Sequence, residues 1–357
     1  MLELDPIIAQ VNENCDIADA NYAGFYSICG LALRLRDLYK WDRGLEAWME
    51  GDSPEVLAWI GEKERKWDKL TEKAFHEITI SGRQYDPFDT TAINNLLEPH
   101  GFFYGAGYAR SMRPTFFLAM IEKKRKINGQ RIYILGRELA RDLFTTPALS
   151  QEECVLIRQE SATLFLWDSM LYIKKSGRHA LRFALEDYGL TDAKPAMLHA
   201  HLKRMAAAET EAYIYHELGE IHDTVFNRAL WREIIATFPH TPIELLARSV
   251  KDLLADTNEY GTLRHICKEC KTASLAFYVA FLDGLRKTLF PEIIRAFREF
   301  METRDWDLIE EAATIGRNTA QHHAETIIDI YETGKEKHDN IWIETEVSKR
   351  LLAPLGV

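Results

Sequence analysis

TFFLAMIEKKRKI at residues 115–127, NG at 128–129 and QRIYIL at 130–135 follow one another without a break. Both flanks are rich in β-branched and aromatic residues. Asn128 and Gly129 between them accept the positive φ angles of a type I′ turn, so the stretch predicts a β-hairpin. Phe102, Phe103, Tyr104 and Tyr108 supply another strand, and residues 77–80 a fourth. The expected sheet is small, antiparallel and contained within residues 76–136. The basic run at 123–126 keeps an exposed strand end soluble and unpaired. Gly105-Ala106-Gly107 lacks the third glycine and the following helix of a dinucleotide loop.

Helical patterns lie on both sides. Toward the N-terminus, Asn14 or Asp16 caps a helix that is expected to continue through Tyr22 as far as Leu35. Ser53, with Pro54 at the first helical position, starts a second helix. Trp41, Trp48, Trp59 and Trp67 crowd this region and read as packing residues. Beyond the hairpin, Ser150-Gln151-Glu152-Glu153 has the pattern of a capping box, and Thr241-Pro242-Ile243-Glu244 repeats the logic. A further helix from Thr262 is expected to run on through the apolar residues 275–282. The chain therefore divides into an N-terminal helical region (1–75), a sheet region (76–137) and a C-terminal helical region (138–357). The fold class is α+β, predominantly α-helical, with a large helical body around a small antiparallel sheet.

Composition narrows the function. The 357 residues carry a formal charge of −11, a field that repels nucleic acid and anionic membrane. Neither is expected as a partner. The N-terminus has no basic, apolar leader, and the most apolar stretch, 23–33, is too short to span a bilayer. Five cysteines, an odd number in a long chain, suit reduced thiols and a cytoplasmic location. Cys267 and Cys270, placed on one helix face with Leu263 and Phe277, read as packing residues, since a zinc site needs four ligands. No G-x-S-x-G elbow or G-x-x-x-x-G-K-[ST] loop is present.

The chemistry concentrates in MAAAETEAYIYHELGEIHD, residues 205–223. At roughly 100° per residue, Ala207, Ile214, Leu218 and Ile221 share a core stripe, while Glu209, His216, Glu220 and Asp223 share the opposite face. His216 and Glu220 are i, i+4 neighbours and can converge on one point. Ala208, Ala212 and Gly219 along the edge admit a second helix, and a carboxylate or imidazole buried by it needs a partner or a cation. One imidazole and two carboxylates suit a divalent Zn, Mn or Fe ion. On a second helix, over 319–336, His323 sits at the boundary of the apolar face and is the best placed to reach inward as a further ligand. His222-Asp223, with His199 or His201 upstream and Asp252 or Asp256 downstream, is an alternative metal pattern.

His216-Glu217-Leu218-Gly219-Glu220 resembles, over these five residues, the zinc-protease motif H-E-x-x-H with glutamate in place of the second histidine. The resemblance implies His216 as a ligand and Glu217 as the general base acting on metal-bound water. Two expectations follow. One is a metal-dependent, hydrolytic enzyme acting on a small molecule, with Glu209, His216, Glu220 and His323 as ligands and Glu217 as base. The other is a non-enzymatic regulatory or scaffolding protein that binds a protein partner through its aromatic N-terminal region and its hairpin.

Overall fold

The computed structural model describes residues 2–191 and 194–356. The chain separates into two compact units, one up to Asp168 and one from Ser169 onward. The first unit mixes helix and sheet, the second is helical among its described residues, and helix is in the majority. None of the described helices is long and apolar enough to cross a membrane.

In the first unit, helix α1 (Leu4–Tyr22) ends in a 3-10 turn at Ala23–Phe25, and α2 (Ile28–Asp42) restarts after it. The expected continuous helix is thus two. Ser27 is extended and its hydroxyl accepts the Gly30 amide at 3.1 Å, a cap that competes with helix continuation. Helix α3 (Ser53–Trp67) carries Trp59 and Trp67 into a core with Leu35, Leu38 and Tyr39. Short strands β1 (Ile78–Ile80) and β2 (Arg83–Tyr85) pair only with each other, so residues 77–80 do not join the main sheet. Helix α4 (Thr90–Leu97) leads into β3 (Phe102–Tyr108), β4 (Pro114–Ile127), β5 (Gln130–Arg141), β6 (Ala148–Gln151) and β7 (Cys154–Arg158).

The β4–β5 hairpin turns at Asn128 and Gly129, both at positive φ (50° and 85°), as the sequence predicts. The sheet around it differs from expectation. It is mixed and five-stranded, in the order β3-β4-β5-β7-β6, and reaches Arg158. Strand β7 pairs in parallel with β5, and β6 lies outside it. The apparent capping box at 150–153 is the turn between β6 and β7. Glu152 is left-handed there (φ 53°), and its carboxylate accepts the Thr90 and Thr91 hydroxyls at 2.6 and 2.5 Å. Strand β7 is buried at all five positions, and a short unalternating apolar run does not distinguish strand from buried helix. Gly105 lies under the Phe117 ring, where a Cβ would fall 2.0 Å from a ring carbon, so its role is close packing. The i, i+4 stripe Ile7, Val11 and Cys15 packs α1 onto Tyr104, Phe116 and Leu118.

A charged network sits inside this unit. Glu138 of β5 accepts Arg158 Nε at 2.7 Å and Nη2 at 3.0 Å, and the Ser161 hydroxyl at 2.9 Å. Arg141 approaches to 3.5 Å. All three charged side chains are at most 2% exposed. Burial raises the Glu138 pKa, but the two guanidinium groups outweigh it and hold the carboxyl below its ordinary range.

Helix α5 (Gln159–Leu171) closes the first unit and opens the second. The second continues with α6 (Arg178–Glu186), α7 (Pro195–His222), α8 (Arg228–Thr237), α9 (Pro242–Thr257), α10 (Thr262–Lys268), α11 (Thr272–Phe281), α12 (Gly284–Leu289), α13 (Pro291–Thr303), α14 (Trp306–Glu336) and α15 (Asn340–Val347). The expected helix from Thr262 through residue 282 is broken after Lys268, with Cys270 at φ 50°. Cys267 is buried and Cys270 exposed, so the two sulfurs do not share a packed face.

Candidate metal centre

Two helices build the site. Helix α7 presents His216 and Glu220, and α9 presents Asp252 and Asp256. Each pair is spaced i, i+4, so each projects from one helix face. Their close approach depends on small residues. A Cβ on Gly219 would lie 2.1 Å from the Ala255 carbonyl oxygen, so only glycine lets the α7 backbone meet α9 here. The Gly219 carbonyl in turn accepts Asn258 Nδ2 at 2.8 Å.

His216 Nδ1 lies 2.7 Å from Asp256 Oδ1, and the Tyr278 hydroxyl of α11 donates to Asp256 Oδ2 at 3.0 Å. The carboxylate is buried and fixes the ring from behind. The free side of the ring, Nε2, faces Glu220 Oε1 at 3.9 Å. Ligand atoms of His216, Glu220 and Asp252 all lie within 4.8 Å of one another. These three side chains are between about a quarter and a third exposed (26%, 23% and 34%), so the group opens to solvent on one side. Lys251 Nζ lies 2.5 Å from Glu220 Oε2, and Arg286 Nη1 lies 3.9 Å from Asp252 Oδ2.

The electrostatics follow from this geometry. Burial disfavours the imidazolium, but Asp256, with help from Asp252 and Glu220, outweighs it and lifts His216 to about 10. Burial likewise raises Glu220, yet Lys251 and His216 prevail and hold it below the ordinary carboxylate range. Asp252 is raised by burial, with Arg286 opposing. Glu217, buried on the adjoining face of α7, is pushed up to about 7 by burial and by the Glu220 charge.

Of the residues expected in a metal site, the fold brings His216 and Glu220 together, with Glu217 beside them. Glu209 and His323 are not in the group. Glu209 lies two helical turns before His216, and its Oε1 accepts the Ser274 hydroxyl at 2.7 Å. His323 leaves its buried Nδ1 without a hydrogen-bond partner, and burial and His322 lower its pKa. His222 stacks on Tyr260 at 4.2 Å, and Asp223 pairs with Arg317, so the His-Asp dipeptide serves packing and helix termination. Of the pattern's downstream residues, Asp252 and Asp256 do reach the site, opposite His216. Lys251, Tyr278 and Arg286 were not legible as site residues, because nothing in the spacing of one chain pairs α7 with α9. Asp256 does carry a signal, since it falls roughly 60° from Leu253 on the helical wheel, beside the apolar stripe.

Glu209 yields a separate prediction. Burial, only partly offset by Ser274 and Lys271, raises its pKa to about 7. The folded state thus binds a proton that the unfolded state has already lost above its ordinary pKa of 4.5. Stability from this group is complete below pH 4.5 and falls as pH rises toward 7. Glu209→Gln keeps an acceptor for Ser274 and removes the titration. At pH 8 it is expected to stabilise the second unit by roughly 3 kcal/mol, with no gain at pH 4.5. Urea unfolding at the two pH values checks this, and an equal effect at both would refute it.

Residues 6–158 match the N-terminal domain, and residues 163–350 the C-terminal domain, of a Family of unknown function (DUF6866). No curated protein and no solved structure matches the chain.

Proposed function

The chain belongs to the Family of unknown function (DUF6866), and from the side chains around His216 we propose that it is a metal-dependent hydrolase. The proposed ligands are His216 Nε2, Glu220 and Asp252, and the metal is Zn, Mn or Fe. One observation carries the reading: Asp256, itself held by Tyr278, takes the back nitrogen of His216 and leaves the front nitrogen facing two partly open carboxylates. Metal-ligating histidines are oriented by such a carboxylate, which fixes the tautomer and raises the basicity of the ligating nitrogen. One nitrogen and two carboxylate oxygens suit these ions and leave further positions for water and substrate.

When bound, the ion would lower the pKa of a coordinated water and supply hydroxide near neutral pH. The protein's own residues do the rest. Asp256 and Tyr278 hold the ring. Glu217, with its pKa near 7, is matched to accepting and returning a proton at neutral pH. Lys251 and Arg286 neutralise the two carboxylates until a cation replaces them.

Metal added to chelator-stripped protein tests this. At a hundred times its dissociation constant, a ligand specific for the folded state stabilises by about 2.7 kcal/mol. Mn²⁺ or Zn²⁺ is expected to raise the melting temperature of the second unit by several degrees. His216→Ala and Asp252→Asn should each abolish the rise. An unshifted wild-type chain, or variants that respond like it, would overturn the proposal.

A further inference from the structure

We infer that the substrate of this centre is a phosphate ester, a conclusion that rests on the metal reading above. The basis is the pair of cations placed against the ligand carboxylates. Lys251 meets Glu220, and Arg286 meets Asp252. The Lys251 ammonium lies 5.3 Å from the Trp231 ring centroid, a contact that keeps it at the rim of the site. Both cations are partly open to solvent, at 17% and 32% exposure.

Charge accounting gives the direction. A divalent ion on neutral His216, Glu220 and Asp252 cancels the two ligand carboxylates. Of Lys251 and Arg286, one is then offset by Asp256, and the other is in excess until Glu217, which interacts with Lys251, ionises. The metal also takes over the carboxylates these cations held, so an ammonium and a guanidinium become available beside the ion. A phosphoryl group fits that arrangement. It brings up to two negative charges and several oxygens, one set for the metal and others for donors arranged around it. A neutral ester or amide would leave one of the two cations without a counter-charge in a partly desolvated site, at a cost. In hydrolysis, water oxygen forms the new bond to phosphorus and the phosphorus–oxygen bond to the alcohol breaks. One proton from the water goes to Glu217 and is returned to the leaving alkoxide.

Full-length protein loaded with Mn²⁺ and titrated with inorganic phosphate tests this, with p-nitrophenyl phosphate and p-nitrophenyl acetate as paired substrates. Phosphate is expected to bind at least tenfold more tightly with Mn²⁺ than without it. Lys251→Met and Arg286→Met should each weaken phosphate at least tenfold. In Lys251→Met, Mn²⁺ itself should bind as tightly as in wild type or more so, because the competitor for Glu220 is gone. A merely structural role for Lys251 would move both affinities downward together. Phosphate binding unaffected by Mn²⁺ or by either variant overturns the inference. Cleavage of the acetate alone overturns it while sparing the metal centre, and failure to bind Mn²⁺ overturns both.

Discussion

Glu138→Ala is expected to destabilise the first unit by roughly 3–5 kcal/mol, the cost of removing one partner from a buried ion network. The carboxylate receives two bonds from Arg158, lies 3.5 Å from Arg141 and accepts Ser161. Removing it leaves two guanidinium groups facing each other where water does not reach, and Arg141 Nε already has no hydrogen-bond partner. Arg158 then keeps the ring of Phe117, 4.3 Å away, a long bond to the Phe144 carbonyl and the charge of Asp142. Glu138→Gln keeps the shape but removes the charge and should fall between alanine and wild type. Adding Arg158→Met to Glu138→Ala should recover part of the loss, because it removes a charge that the first change stranded. Hydrogen exchange of the β5 and β7 amides reads this unit separately from the other. A loss below about 1 kcal/mol for alanine would show that the network contributes little.

Gly219→Ala is the second large effect. The added methyl would lie 2.1 Å from the Ala255 carbonyl oxygen, a backbone atom that cannot rotate away. Relief requires α7 and α9 to separate. Overpacking of this kind typically costs 1–3 kcal/mol, and a backbone collision puts the change at the upper end, about 3 kcal/mol. For a unit of this size that corresponds to a fall of roughly 6–12 °C in melting temperature. Separation of the helices also withdraws Asp252 and Asp256 from His216, so any Mn²⁺-induced stabilisation should disappear with it. Gly61→Ala in α3 is the contrast. Its Cβ would meet only the far end of Arg65, at 3.4 Å. There the substitution should be neutral or stabilise by up to about 1 kcal/mol, the ordinary helix preference for alanine. Equal responses at the two positions would remove close approach as the role of Gly219.

What the sequence disclosed follows from the range of the interaction concerned. The β4–β5 turn is local, since two residues that tolerate positive φ decide it, and it was legible. So was the convergence of His216 and Glu220, which needs only the pitch of one helix. The small residue at 219 correctly pointed to a closely approaching helix, but not to which one. The extension of the sheet to Arg158 was not legible, because CVLIR is buried on both faces and shows no period of two. Glu209 shared a helical wheel with His216 yet serves a neighbour two turns away. Angular position alone omits displacement along the axis. Asp256, Tyr278 and Arg286 reach the site only through tertiary packing of α9, α11 and α12.

The most direct test of the centre is anomalous diffraction at the manganese or zinc edge, from crystals grown with that ion. One peak is expected within bonding distance of His216 Nε2 and of Glu220 and Asp252 oxygens, with the Lys251 ammonium displaced from Glu220. Density that shows Lys251 still bound to Glu220, with no anomalous peak between the two helices at saturating metal, would contradict the account.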